Sequence, residues 1–422
     1  MSVVAVGLNN RTVPLELLER MTVSEARLPK ALADLASRDN VAEAIVVSTC
    51  MRTEIYAVAE KYHGAVQDIR NFLAELGGLP PEDFSDYMYS FHDEGAVGHL
   101  FRVACGLDSA VVGESEILGQ VKDAWDRGRE EGTAGPTLSA LFRHAVEIGK
   151  KARATTGIAR GITSVSQAAV AMAADRLGSL SGRRILVLGA GDMGEGMAVA
   201  LAGAANAGEV LVANRTWSKA TALAARIGGT AVEFGALGPA LHQVDLLLTS
   251  TTSPSVLVEA ADLAPVMAER PDRPLLIVDI AVPRDVDAAV GHLPGVTLLD
   301  MDDLRAFAAH GLESRRREIA RVEELISEQV ERHIVAAHAR SVAPVVKALY
   351  DRAESVRQAE IERLRARLDH LDPRDREVVE ALTRGIVATL LHEPVVRMKD
   401  AAGSARGDRL AEALRTLFDL DE

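Results

Sequence analysis

RRILVLGAGDMGEGMAVALAG, residues Arg183 to Gly203, decides the central part of the fold. Ile185–Leu188 is a short, fully apolar run, the pattern of a strand buried on both faces, and a helical pattern follows it after a glycine-rich turn. Gly189, Gly191 and Gly194 form G-x-G-x-x-G at that junction. The first glycine permits the tight turn, the second lets backbone approach a pyrophosphate, and the third lets helix and strand pack closely, while the helix N-terminus favours an anion. A dinucleotide site built on Gly189, Ala190, Gly191, Asp192, Met193 and Gly194 is the expected reading.

Outward from this turn, EVLVANRT, SKATALAARIGG, VDLLLTSTT and PLLIVDIAVP continue the alternation of strands and helices. That spacing predicts a Rossmann-like parallel sheet with helices on both faces, spanning residues 156–300. About twenty residues past the glycines, where NAD-binding folds place a carboxylate for the ribose hydroxyls, stand Asn214, Arg215 and Thr216. A carboxylate would repel a 2'-phosphate and an arginine attracts one, so NADP is expected over NAD. The plain alternative is a surface pair between Arg215 and an acid such as Glu209.

Towards the N-terminus, VVAVGLN, AEAIVVSTC and TEIYAVAE read as strands of a half-buried sheet, with helical patterns between and after them. An α+β domain over residues 1–155 follows. Towards the C-terminus the chain turns charged and helical, with Ile319, Val322, Ile326, Val330 and Ile334 three or four residues apart. A long connecting helix over 301–340 and an all-α dimerisation domain over 341–422 are expected, with Asp372 and Pro373 opening one further helix. The run Arg315–Arg317 reads as a solvated helix face. The Gly157–Gly161 stretch is a candidate hinge between the first two domains.

The chain of 422 residues is 48% hydrophobic, long enough for several cores. No apolar run approaches the roughly 20 residues that span a bilayer, and the N-terminus lacks a secretory pattern, so a cytoplasmic protein is expected. Two cysteines, Cys50 and Cys105, exclude a disulfide framework and a four-thiolate zinc site. The net charge of -14 has the wrong sign for indiscriminate phosphate binding. Composition therefore gives no hint of RNA.

Ser48-Thr49-Cys50-Met51-Arg52-Thr53-Glu54 ends an apolar strand. A lone cysteine reads equally as a small buried hydrophobe or as a nucleophile, with Arg52 placed to stabilise a thiolate or bind a carboxylate and Ser48 and Thr49 to orient an ester. STCMRTEIY resembles the active-site block of the glutamyl-tRNA reductases. GLNNRTVPLELLER, HLFRVACGLDSAVVGESEILGQVKDA, GAGDMGE, ANRT and DIAVPRD follow in that family's order, and the tail resembles its connecting and dimerisation helices. Three positions depart from the pattern: Met51 replaces the usual Asn, Asn10 an often-found His, and Cys105 a common Ser.

The resemblance implies a metal-free, NADPH-dependent reduction of glutamyl-tRNA to glutamate-1-semialdehyde, the first committed step of tetrapyrrole biosynthesis. Cys50 would form a thioester and release tRNA, and hydride would then reduce the thioester. It further implies Thr49, Arg52, Ser109, Glu114 and Gln120 as substrate contacts, with Arg52 on the glutamate carboxylate, and Glu54 and His99 as acid, base or orienting groups. A homodimer and an encounter with glutamate-1-semialdehyde aminomutase belong to the same expectation. The rivals are an NADP-dependent shikimate-type dehydrogenase, which needs neither the cysteine nor the long tail, and a non-enzymatic tRNA-binding scaffold.

Overall fold

Four strands rich in Val, Ile and Ala make the first sheet: β1 (Ser2–Asn9), β2 (Val41–Thr49), β3 (Arg52–Ala59) and β4 (Tyr89–His92). The computed structural model describes residues 2–159, 164–203, 208–310 and 316–420. The order is β2-β3-β1-β4, every pairing antiparallel. The short β4 has no clear sequence signature, because its four residues alternate only as Tyr, Ser, Phe and His. β3 is buried at each of its positions rather than on one face alone. One face packs Val4, Val6, Val46 and Ile55 against Leu18, Leu32, Ile69 and Phe72 of flanking helices. The helices Glu116–Glu130 and Pro136–Thr155 lie against β2 and close the other face.

The second sheet is parallel throughout, in the order β10-β9-β8-β5-β6-β7. Its strands are β5 (Ile185–Leu188), β6 (Val210–Ala213), β7 (Thr230–Val232), β8 (Leu246–Thr249), β9 (Leu275–Asp279) and β10 (Val296–Leu299). Alternate residues serve two cores. Ile185, Val187, Leu246 and Val278 meet the helix Val165–Leu177, while Leu186, Leu188, Leu247 and Ile277 meet Leu241, Leu263 and Val290. Helices on both faces explain why the strands are apolar without interruption.

The segment expected as one connecting helix over 301–340 holds the helix Met301–His310 and then a 48-residue helix, Arg316–Arg363, which runs through Pro344 and past 340 without a break. The expected boundary between 340 and 341 therefore falls inside a helix. Arg316 and Arg317 are exposed; Arg315 lies outside the described residues, as does Gly161 of the candidate hinge. Asp372 caps the helix Pro373–Asp400 as expected, its Oδ1 accepting from the N–H groups of Arg374 and Asp375.

The chain divides into two compact units, up to Ser327 and from Glu328 onward. Within the second, Val342, Val345, Leu349, Leu391, Val395 and Met398 form a core. In the same unit Val378, Leu382, Ile386 and Leu390, four residues apart on one helix, stay exposed at 64%, 62%, 49% and 70%. Of the stripe Ile319, Val322, Ile326, Val330 and Ile334, the three central residues are buried in the single chain and Ile319 and Ile334 are half-buried. No helix among the described residues is long and apolar enough to cross a membrane.

Candidate functional site

The glycine turn leaves β5 between β6 and β8, the point where the strand order reverses, and this is where open parallel sheets bind ligands. Gly189 has φ 111°, a left-handed value that a side chain resists. A Cβ on Gly194 would lie 2.1 Å from Gly189 O, whereas one on Gly191 would meet nothing within 4 Å. Two glycines are thus required by the protein's own packing, and the third leaves open space over the turn. Asn214 serves the turn itself: its Oδ1 accepts from Ala190 N at 3.2 Å and its Nδ2 donates to Thr216 O at 3.1 Å.

The cleft above the turn is lined by Gly189, Ala190, Gly191, Asn214, Arg215 and Thr216, together with Ser250 to Ser253 at the end of β8. Glu209, the acid considered as a surface partner for Arg215, pairs with Arg184 at 2.7 Å instead. Arg215 is exposed and borders the cleft. Lys219, not singled out from the sequence, stands in the first turn of the helix Trp217–Ile227 and borders the same cleft. Its place in the first turn of the helix that follows Asn214-Arg215-Thr216 is the signal that would have found it.

Cys50 and Met51 form the two-residue turn between β2 and β3, for Thr49 pairs with Arg52 across the hairpin. Thr49 Oγ1 accepts from Met51 N at 3.1 Å, and Met51 O accepts from Asn10 N at 2.9 Å, which fixes the turn from both sides. Met51 is 7% exposed and packs into the core shared with Val165, Met197 and Val278. Its departure from the family's polar residue is therefore an apolar packing choice.

The crevice at Cys50 is lined by Thr49, Arg52, Ser109, Glu114, Glu116 and Gln120 on one side, and by Val165 and Met193 on the other. Met193 lies in the first turn of the helix Asp192–Gly203, so Gly189–Gly191 line the cleft and the helix that follows them reaches the crevice. The crevice volume is about 20 Å³, room for a single water. Burial, then the Glu114 and Glu116 carboxylates, push the Cys50 thiol up to about 12. The thiolate stabilisation expected from Arg52 is outweighed, since its charge opposes this rise as the smallest of the contributions. Burial also raises Glu114, whose Oε2 is buried without a hydrogen-bond partner.

Glu54 and His99 are placed elsewhere than expected for groups acting directly on substrate. Glu54 Oε1 accepts from Arg52 Nη1 at 2.6 Å, Tyr89 OH at 2.5 Å and His99 Nε2 at 3.0 Å, and Oε2 accepts from Tyr56 OH at 2.6 Å. Arg52 also donates to Asp108 through Nη1 at 3.1 Å and to the Asp108 carbonyl through Nη2 at 2.7 Å. Neither Glu54 nor His99 lines the crevice; they stand behind Arg52 and hold it. Glu54, His99 and Asp108 gather ligand atoms within 4.8 Å of one another, but the Arg52 guanidinium already supplies the cation there. Cys105 follows the helix Glu94–Ala104, fully buried, and its thiol is pushed up to about 12 by burial.

Asp279 and Asp285, within the matched run DIAVPRD, are structural. Asp279 Oδ2 accepts from the N–H groups of Asp285 and Val286, both at 2.9 Å, and Asp285 Oδ2 accepts from Thr251 N at 2.7 Å. They tie the loop after β9 to the end of β8.

Three family models match the chain in succession. Residues 6–156 match the glutamyl-tRNA reductase N-terminal domain, 171–307 match shikimate / quinate 5-dehydrogenase, and 321–420 match the glutamyl-tRNA reductase dimerisation domain. The middle match explains why a shikimate-type enzyme competed on sequence; the flanking matches exclude it as the whole. The glutamyl-tRNA reductase of Paenibacillus macerans is 39% identical over all of this chain and 96% of its own length, and that of Desulforudis audaxviator is 40% identical over all of this chain and 94% of its own. The solved glutamyl-tRNA reductase of Methanopyrus kandleri is 33% identical, covering 100% of this chain and 99% of that one at a TM-score of 0.54. With a hairpin cysteine in the first matched domain, a glycine turn in the second and a helical third, the chain belongs to the glutamyl-tRNA reductase family.

Proposed function

We infer that this enzyme reduces glutamyl-tRNA to glutamate-1-semialdehyde with NADPH, by way of a thioester on Cys50, as the committed step of tetrapyrrole and heme biosynthesis. The observation that carries the reading is the crevice itself: Cys50 stands on a two-residue turn, and Met193 across that crevice lies in the first turn of the helix Asp192–Gly203, directly after the Gly189–Gly191 turn that lines the dinucleotide cleft. Attack by sulfur on the aminoacyl ester expels the ribose oxygen of tRNA. Sulfur donates poorly into the carbonyl, so the thioester accepts hydride more readily than the ester.

Arg52, Thr49, Ser109, Glu114 and Gln120 line that crevice and are the proposed contacts for the glutamyl group. Arg52 lines the crevice and its buried Nε has no hydrogen-bond partner, so it retains a donor although two acids already hold it. Glu54 and His99 act by positioning Arg52. Arg215 and Lys219 favour NADPH, because both cations border the cleft and no carboxylate among the described residues does. A crevice with room for one water cannot admit a glutamyl ester until Val165 and Met193 withdraw, so opening between the first two domains accompanies substrate entry. The exposed stripe Val378–Leu390 supports a homodimer through the helical tail. Purified enzyme given glutamyl-tRNA and NADPH should form the aldehyde and free tRNA. Turnover of shikimate with NADP, and none of glutamyl-tRNA, overturns the reading.

A further inference from the structure

A thiol that attacks an ester has to lose its proton, and the Cys50 crevice offers few places for it. This inference rests on the thioester reading. Cys50 is a protonated thiol at rest, and a thiol is a much weaker nucleophile than a thiolate. No histidine lines the crevice among the described residues. His99 directs Nε2 at Glu54, and Glu54 is committed to four donors and stands behind Arg52. The crevice carries two carboxyl groups, Glu114 and Glu116.

Glu114 is 6% exposed and enclosed. Glu116 opens the helix Glu116–Glu130 and is half-buried, so it keeps a path to solvent through which its proton state can be reset. Burial, then Glu114, then Asp192 push Glu116 up to about 7. Asp192 is on the cofactor domain's helix beside the glycine turn, whereas Glu114 precedes Glu116 on its own chain segment. Arg153, from the helix Pro136–Thr155, and Arg52, from β3, act on Glu114 and oppose its rise. Glu116 is thus ionised above neutrality and protonated below it, the range in which a general base works best.

We propose that Glu116 takes the Cys50 proton as sulfur attacks the aminoacyl ester and returns it to the departing ribose oxygen. The Sγ–C bond forms, the C–O bond to tRNA breaks, the proton passes from thiol to Glu116 and then to the ribose hydroxyl, and Glu116 ends ionised as it began. The first transfer also conserves the charge of the crevice. Losing the proton to bulk water would leave a thiolate beside two carboxylates, whereas giving it to Glu116 neutralises one of the charges that hold the thiol protonated.

The test is acylation of the full-length enzyme by glutamyl-tRNA without NADPH, quenched within one turnover and read as the glutamyl adduct on Cys50 by mass spectrometry across neutral pH. In the parent the rate should rise with pH through an inflection near 7. Glu116→Gln should acylate about 10²-fold more slowly and lose that inflection, and Glu116→Asp should recover part of both. A purely electrostatic role has the opposite sign, since removing a like charge favours the thiolate. Glu116→Gln acylating as fast as the parent, or faster, therefore overturns the proposal. Should Glu116→Gln fail to fold, the parent profile and Glu116→Asp decide, and a profile flat through neutrality counts against Glu116. Absence of any Cys50 adduct in the parent removes the thioester reading and this proposal with it. An adduct formed equally fast in parent and variant removes only Glu116.

Discussion

Arg52 Nη1 donates to Glu54 Oε1 at 2.6 Å, the two residues standing two apart on β3 with both side chains buried. Burial alone would raise Glu54, yet Arg52 and His99, with the Tyr56 hydroxyl, hold it well below the ordinary carboxylate range. The pair fixes a guanidinium beside Cys50 without exposing Glu54 to substrate.

Glu54→Gln should therefore act through Arg52. Leaving a buried guanidinium with one partner fewer costs about 3–5 kcal/mol, read as a lower urea midpoint. The sign of the pH effect follows from the depressed value. The contribution of Glu54 is fully present above the unfolded value of about 4.3 and lost as pH falls below it towards the folded one. The stability gap between parent and variant should narrow on acidification through that window. A gap independent of pH would show that Glu54 is not held ionised.

Arg215→Ala should weaken NADPH binding much more than NADH binding, because only the former loses a charge-assisted phosphate contact of about 1.5–3 kcal/mol. Lys219→Ala should show the same preference to a smaller extent. Titration calorimetry with both cofactors reads the difference, and equal losses would contradict the assignment of a 2'-phosphate to these cations.

Leu382→Glu combined with Leu390→Glu should convert a dimer into a monomer by light scattering. Both side chains are more than half exposed in the single chain, so charge there costs the monomer little. A variant that stays dimeric would place the interface away from this stripe.

The glycine turn and the place of Cys50 at a strand end were legible because their determinants are local: three glycines in one turn, and two apolar strand patterns a few residues apart. Lys219 was equally local but was overlooked beside Arg215. The Arg52 network was not legible, since Glu54 meets Tyr89 and His99 from 35 and 45 residues away, and only the fold brings them together. Periodicity located the apolar face of the long helix but could not say whether this chain or a second one would cover Val322 and Ile326. Asp279 and Asp285 show the converse: a matched motif whose acids bind backbone and hydroxyl groups of their own loop and of the end of β8.

The thioester is tested most directly by locating it. Enzyme mixed with glutamyl-tRNA in the absence of NADPH, quenched and digested, should carry a glutamyl mass on the Cys50 peptide that alkali removes and that added NADPH discharges as aldehyde. Cys50→Ser should fold, bind NADPH and form neither adduct nor aldehyde, while Cys105→Ser should keep most activity because that thiol is buried away from the crevice. A glutamyl adduct on Cys105, or full aldehyde formation by Cys50→Ser, would contradict covalent catalysis at Cys50.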